Sequence, residues 1–328
     1  MKYAKFFSIF VFVTMAIYGL TGLYFLPLAS FDGDLTRIGK LPESMFGWTK
    51  QQPAIEQNLL QSATWQEADV LVIGDSFTSS RIWQTALTRH NLRVRTEDWS
   101  NVRGICGDFM PWLRMQGFQG QYVIIEVVER SAEDTLSKSA NCSTMKSHPS
   151  IDTHVTPPAT LHDRQKTDLS GRLSIGIQTE LNVLKYNQLR NKPDFMAWDL
   201  PNGVRMERLP GGCDLFSHPR CQDVLFLGSD QPHDFGEGML AAMGKINARL
   251  DGLIPIWVIV PDKSTVYLRP DKKFWDKAEL RFRTPNILKT FRQAIQEKTI
   301  DLYPANDTHL STAGYLMMGD AIYQSIGR

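Results

Sequence analysis

The sequence predicts an α/β fold: a parallel sheet covered by helices, interrupted by one large insertion and preceded by one transmembrane helix. Three observations lead there. Short, mostly apolar runs alternate with stretches of helical periodicity, as in strands buried on both faces of a sheet. The rhythm breaks once, between about residues 132 and 234, where prolines accumulate. And the whole of Phe6 to Ser30 carries no charged residue.

That N-terminal stretch is long enough for a bilayer core, which needs ~20 apolar helical residues. Lys2 and Lys5 precede it, and Asp32 and Asp34 follow it. Positive charge stays on the cytoplasmic side, so the remainder of the chain is expected outside. The alternative is a cleaved signal peptide with its site near Leu28-Ala29-Ser30. Signal-peptide apolar regions run only ~7–15 residues, so an uncleaved anchor is the better fit. The expectation is a single-pass inner-membrane protein with its main domain in the periplasm. Residues 1–31 are then tip and anchor, 32–65 a stalk and entry segment, and 66–328 the main domain.

Within that domain, Ala68 to Ile73 is a short apolar run ended by Gly74, suited to a buried parallel strand. Ser79 to His90 has helical spacing, with Ile82, Trp83, Ala86 and Leu87 on one face. Tyr122 to Val128 reads as the next strand and Ile254 to Val260 as another, after a helix around 238–250. Pro285 to Lys298 reads as a helix with proline in its first turn. Ile300 to Tyr303 reads as a short final strand and Thr312 to Ile326 as the closing helix. The insertion, about 132–234, contains Pro149, Pro157, Pro158, Pro193, Pro201, Pro210 and Pro219, with one helix near 173–189.

Composition narrows the function classes. Hydrophobic residues make up 42% and charged residues 22%, with a net charge of +1, so no basic footprint points to nucleic acid. Four cysteines, Cys106, Cys142, Cys213 and Cys221, suit an oxidising compartment. Four allow three pairings, of which Cys213 with Cys221 closes a short loop and is favoured. His218 lies between those two, but no second ligand pair stands at zinc-site spacing, so no metal is expected. No cofactor is expected either.

Two short motifs carry chemistry. Gly74-Asp75-Ser76-Phe77 directly follows the first buried strand, and ligand sites of open α/β sheets lie at strand carboxyl ends. Taken alone, Asp75 or Ser76 reads as a helix cap. Asp307-Thr308-His309 precedes the last helix. A serine hydroxyl needs a base to become a nucleophile. His309 can take its proton, and Asp307 can orient the imidazole and stabilise its charged form. Two such elements expected on one sheet edge favour a Ser76–His309–Asp307 triad over two unrelated caps. Asp152-Thr153-His154 repeats the same letters among prolines, without a strand before it, and reads as a surface loop.

Two further segments are candidates for the same site. In Asn101-Val102-Arg103-Gly104-Ile105-Cys106-Gly107-Asp108, Gly107 or Gly104 can bring a backbone N–H close to a reacting carbonyl, or simply make a turn. Glu129-Arg130 ends the second predicted strand. Arg130 there either forms a buried ion pair or contacts substrate. Trp99, Trp112 and Trp198 are either sugar-stacking surfaces or core.

With these residues in hand, the chain resembles the SGNH/GDSL hydrolase superfamily, whose frame is a three-layer α/β/α, flavodoxin-like fold. Gly74-Asp75-Ser76 looks like its first block, Gly107 like its glycine oxyanion block, and Asp307 with His309 like its last block. Where the superfamily carries asparagine after the second strand, this chain has Glu129-Arg130. Its aspartate also stands one residue closer to the histidine. Both features resemble the AlgX/AlgJ-type polysaccharide O-acetyltransferase branch, as does Val260-Pro261-Asp262-Lys263-Ser264-Thr265-Val266-Tyr267. In the alginate enzymes themselves the Asp-Thr-His block precedes the serine, whereas here Ser76 comes first.

The resemblance implies acetyl transfer through an acetyl-serine onto hydroxyls of an exported polysaccharide. It also implies an acetyl donor supplied by a multi-pass membrane acyltransferase. The same triad serves an O-acetylesterase if water is the acceptor. A non-catalytic glycan-binding subunit of an assembly is the reading from another class.

Overall fold

The structure is a computed structural model and describes residues 2–146 and 171–327. The Asp152-Thr153-His154 motif and Pro149, Pro157 and Pro158 lie outside the described residues. Among the described residues the strands are β1 (Val70–Gly74), β2 (Val94–Asp98), β3 (Tyr122–Val128), β4 (Ala197–Leu200), β5 (Val204–Arg208), β6 (Asp223–Leu227) and β7 (Ile254–Val260). The described chain divides into two compact units.

One unit comprises residues 51–146, 229–303 and 309–327. It is mixed α/β around a parallel four-stranded sheet in the order β2-β1-β3-β7. All five residues of β1 are buried, as are six of seven in β3. Successive strand side chains point to opposite faces, so both faces are covered. That is why β1, β3 and β7 read as continuous apolar runs in the sequence. The Glu129–Asn141 and Glu237–Asn247 helices pack on each other, and so do Ile287–Gln296 and Thr312–Ile326. Members of both pairs contact β7.

Several expectations for this unit are corrected. β2 is a strand that the alternation of runs did not suggest. Its sequence, Val-Arg-Thr-Glu-Asp, hides a buried Arg95–Glu97 ion pair at the sheet edge. The expected helix from Ser79 to His90 forms only as the short turns Ser76–Ser79 and Thr85–Thr88. Arg81 lies between them in the left-handed region at φ 57°, where no right-handed helix continues. Its apolar face is nonetheless buried through Ile82, Trp83, Ala86 and Leu87. Ile300 to Tyr303 is not a strand, because Asp301 at φ 55° turns the chain out of the extended region. The Ile287–Gln296 helix starts after Pro285, with Asn286 as the cap accepting from the Lys289 N–H at 3.0 Å.

The other unit comprises residues 2–50, 171–228 and 304–308. Its first element is the helix Lys2–Phe25, continued by a 3-10 turn at Leu26–Ala29. The stretch Tyr3–Ala29 is long and apolar enough to cross a membrane, and none of it is buried within the protein. The segment expected to be a stalk does not hang free in its first part. Residues 34–46 form two short helices whose Leu35 and Phe46, with Leu41 between them, are fully buried. They share a core with Tyr186, Trp198, Met206 and Leu225. The described part of the expected insertion is therefore no appendage. Its Leu173–Arg190 helix and its antiparallel β4-β5-β6 sheet fold with the N-terminal segment. His218 belongs to this core, 2% exposed, with Nε2 3.1 Å from the Asp223 carbonyl oxygen and its ring stacked on Phe46.

Candidate active site

The sheet order places a reversal between β1 and β3: from β1 the chain crosses first to one side, to β2, then to the other, to β3. In open α/β sheets the ligand crevice opens at such a reversal, beyond the strand carboxyl ends. Ser76 stands there, two residues past the end of β1, and is exposed. Its hydroxyl lies 2.9 Å from Nε2 of His309. With the imidazole protonated on Nδ1, the serine O–H donates to Nε2, the geometry of a nucleophile beside its general base.

The turn that presents Ser76 is held from below. Asp75 caps the short Ser76–Ser79 helix by accepting from the Phe77 N–H at 3.0 Å, and its other oxygen accepts from the Val128 N–H at 2.8 Å. The cap reading of this motif is thus realised by Asp75, the residue before Ser76. The Asp75 N–H donates to Oε2 of Glu126 at 2.8 Å. Gly74 is required because a Cβ would sit 2.6 Å from that same oxygen and against the Thr78 hydroxyl. Phe77 is fully buried, with its ring centroid 5.0 Å from that of His309. Below His309 the chain enters the Thr312–Ile326 helix, capped by Ser311, which accepts from the Gly314 N–H at 3.2 Å.

Glu126 was missed in the sequence, where it looked like one polar residue in an apolar strand. It is fully buried, and burial pushes its carboxyl well above the ordinary 4.5, with the Asp75 charge adding to the rise. Its Oε1 has no hydrogen-bond partner among the described residues. Replacing it with alanine is expected to cost about 2–4 kcal/mol, through the lost acceptor and the cavity. Glu126→Gln keeps an acceptor for Asp75 and is expected to stay near wild-type stability. Because the folded-state value lies above the unfolded one, the wild type loses stability as pH rises above 4.5. The glutamine variant lacks that loss, so the stability difference shifts in its favour towards alkaline pH. Denaturant titrations at about pH 5 and about pH 9 check the sign.

Beside Ser76, the two segments that carried the finer resemblance meet. β3 and β7 pair in register up to Val128 and Val260, so Glu129-Arg130 and Pro261-Asp262 leave the sheet side by side. Arg130 pairs with Asp262 at 2.9 Å, and the Asp262 N–H donates to Glu129 at 2.9 Å. Lys272 closes a second ion pair on Glu129 and donates to the Gln231 carbonyl at 2.6 Å. Burial pushes Glu129 up to about 7, with the Asp262 charge adding and Lys272 opposing. It likewise pushes Asp230, which accepts from the Ser264 N–H, up to about 6. The ion-pair reading of Arg130 is thus realised. Its guanidinium also lies 5.8 Å from the centre of the Phe77 ring, so it buttresses the residue behind Ser76.

Gly107 requires a correction. Its N–H donates to the Cys142 carbonyl at 3.2 Å and so does not point to a reacting carbonyl. The reason is the Cys106–Cys142 disulfide, which ties this loop to the end of the Glu129–Asn141 helix. Arg249 adds to the fastening, donating to the carbonyls of Ile105 at 2.7 Å, Ser139 at 2.5 Å and Ala140 at 2.8 Å. A cation on the last carbonyls of a helix is favourable. The second disulfide joins Cys213 and Cys221, as favoured from their spacing.

The tryptophans belong to the core reading. Trp112 and Trp198 are 6% and 7% exposed, and half-buried Trp99 donates its indole N–H to the Glu126 carbonyl at 2.7 Å.

Asp307 lies two residues before His309, in the Pro304–Thr308 segment that groups with the other unit. That segment is held by the N-terminal stretch. Leu35 N–H donates to the Asn306 carbonyl at 3.0 Å, Asn306 donates to Glu43 at 2.8 Å, and Asp34 accepts from the Thr308 N–H at 2.8 Å and from its hydroxyl. Asp34 and Glu43 looked like charges on a stalk, so their service to this segment was not readable. No protein-family model, curated protein or solved structure matches this chain.

Proposed function

We propose that this chain is a membrane-anchored O-acetyltransferase of SGNH type, with its catalytic part in the periplasm. On this reading it moves an acetyl group through an acetyl-serine onto hydroxyls of an exported polysaccharide. The observation that carries the reading is the 2.9 Å approach of Ser76 Oγ and His309 Nε2 at the reversal of a parallel sheet. Support for the finer assignment comes from Gly74-Asp75-Ser76, Asp307-Thr308-His309 and the Glu129-Arg130 pair, as read in the sequence. The anchor rests on Tyr3–Ala29, and the orientation on Lys2 and Lys5, which precede its uncharged part.

In the reaction, His309 Nε2 takes the Ser76 proton as Oγ attacks the carbonyl carbon of an acetyl ester. The tetrahedral intermediate collapses, the leaving oxygen takes the proton from His309, and the acetyl group stays on Ser76. A glycan hydroxyl then gives its proton to His309 and attacks the acetyl-serine. Collapse returns that proton to Ser76 Oγ and releases the acetylated glycan. Asp307 serves as the group that orients and stabilises the imidazolium. The Ser76 N–H, in the first turn of a helix, is the oxyanion donor this reading retains, and Gly107 supports the loop rather than donating. The donor is an acetyl ester, delivered by a multi-pass membrane acyltransferase.

Ser76 is exposed, which also favours water as acceptor and hence an O-acetylesterase. The two are separated by supplying the full-length protein with a chromogenic acetyl ester, with and without acidic and neutral exopolysaccharides. Ser76-dependent appearance of acetyl on a glycan is the expected result. Release as acetate alone, across all glycans, would sink the transferase reading. Ester turnover that survives Ser76→Ala would sink both.

A further inference from the structure

The Leu173–Arg190 helix has its polarity reversed. The side it turns into the protein carries Gly176, Thr179, Asn182 and Tyr186, all buried. Asn182 donates to the carbonyls of Gly39 and Lys40 at 3.0 and 3.1 Å, and Tyr186 donates to Asp223 at 2.5 Å. Ile177, Leu181 and Leu184 form one row at spacings of four and three, and are 39%, 53% and 53% exposed. A helix on a water-facing surface places its apolar residues inward and its polar residues outward. This one turns Gly176, Thr179 and Asn182 inward and three aliphatic residues outward, beside exposed Gln178 and Lys185.

The place of the row says what covers it. The helix starts against the outer end of the apolar span. A Cβ at Gly171 would strike Ala29, and one at Gly176 would strike the Phe25 carbonyl, so the glycines allow the two backbones to touch. The helix thus runs back along Leu26–Ala29 to the last residue of Lys2–Phe25, and Ile177 follows at once. From Ile177 to Leu184 is about 10 Å of helix, beginning beside Phe25, close to the outer end of the apolar stretch Tyr3–Ala29. Three aliphatic side chains offer far less than the ~800 Å² that each partner gives to a stable protein interface. The row is, however, of the size and position of an interfacial helix face dipped into the headgroup–acyl boundary.

We propose that Ile177, Leu181 and Leu184 lie in the interface of the membrane crossed by the N-terminal helix, so that the chain meets that membrane at two places. The proposal rests on the reading of Tyr3–Ala29 as a span. It makes the base of this unit a two-point attachment, which limits its rotation about the anchor.

The test uses site-specific labels. Both described disulfides are formed and no free cysteine is present, so one introduced cysteine is the only thiol. Ile177→Cys, Leu181→Cys and Leu184→Cys are made separately in the full chain, labelled with bimane and reconstituted into phosphatidylethanolamine–phosphatidylglycerol vesicles. Quenching is measured with lipids carrying a nitroxide near the headgroup for these three positions, and with lipids carrying it on the acyl chain for Phe12. Phe12→Cys reports insertion of the span, and exposed Gln296→Cys sets the aqueous baseline. The expected result is quenching at all three positions at least roughly twofold above that baseline.

Quenching at Phe12 with all three positions at the baseline would overturn the proposal and leave the anchor standing. That outcome would assign the row to a protein partner, which the vesicles lack. A baseline signal at Phe12 would instead remove the anchor itself, and the proposal with it. Circular dichroism and intact disulfides establish that each variant is folded, and three independent positions guard against the failure of one.

Discussion

Ser76→Ala is expected to lower acetyl-ester turnover by at least about a thousandfold, and His309→Ala by a similar factor. On the proposed reading the hydroxyl is the group that becomes acylated, and at neutral pH it is a weak nucleophile without a base. The imidazole 2.9 Å away is placed to be that base. Because the two act as one unit, the double variant is expected to be no worse than either single one. Additive losses would mean that the two residues act in separate steps. Asp307→Asn is expected to keep the fold and to lose up to about 10,000-fold by favouring the wrong imidazole tautomer. Steady-state rates on a chromogenic acetyl ester, with far-ultraviolet circular dichroism as the fold control, check all four.

Removing the Cys106–Cys142 disulfide is expected to be the largest change in stability. The cysteines are 36 residues apart, and closing a loop of that length constrains the unfolded chain by about 4 kcal/mol. The Cys213–Cys221 loop spans only 8 residues, for about 2.5 kcal/mol. Paired serine substitutions at each bridge, followed by urea titration, should show that order. The first bridge should also matter for turnover. It fixes Gly104 to Gly107 against the Glu129–Asn141 helix, together with the Arg249 bonds to three carbonyls. The folded Cys106→Ser/Cys142→Ser protein should therefore turn over acetyl esters more slowly, and the Cys213→Ser/Cys221→Ser protein should not. Equal rates in both would remove the loop from the site. Equal midpoint shifts would contradict the loop-length argument.

What could be read from the sequence follows the physics of burial. β1, β3 and β7 are covered on both faces, so their apolar runs are continuous and their positions plain. β2 lies at the edge, and its buried Arg95 and Glu97 neutralise each other, a pairing with no signature in a hydrophobicity pattern. The antiparallel β4-β5-β6 sheet lies within the expected insertion, where prolines mask short strands. Its core is completed by Leu35, Leu41 and Phe46 from a segment far away in sequence. Long-range completion of this kind leaves no local trace.

The site was legible where chemistry demands particular residues in a short span. Ser76 follows a strand and a required glycine, and His309 precedes a capped helix. Gly107 was misplaced because a glycine's freedom says where a backbone can come close, not which carbonyl takes its N–H. Glu126 was not legible, since a single acidic residue within a strand does not announce that it is fully buried beneath the turn that presents Ser76.

The central claim is that Ser76 carries the acyl group. It is tested most directly by mixing the full-length protein with an excess of acetyl ester, quenching in acid within one turnover, and mapping acetylated peptides by mass spectrometry. The account predicts one acetyl group on Ser76 in the wild type, none there in Ser76→Ala, and greatly slowed appearance in His309→Ala. Acetylation at another residue with Ser76 unmodified, or acetyl-Ser76 forming equally fast without His309, would contradict it.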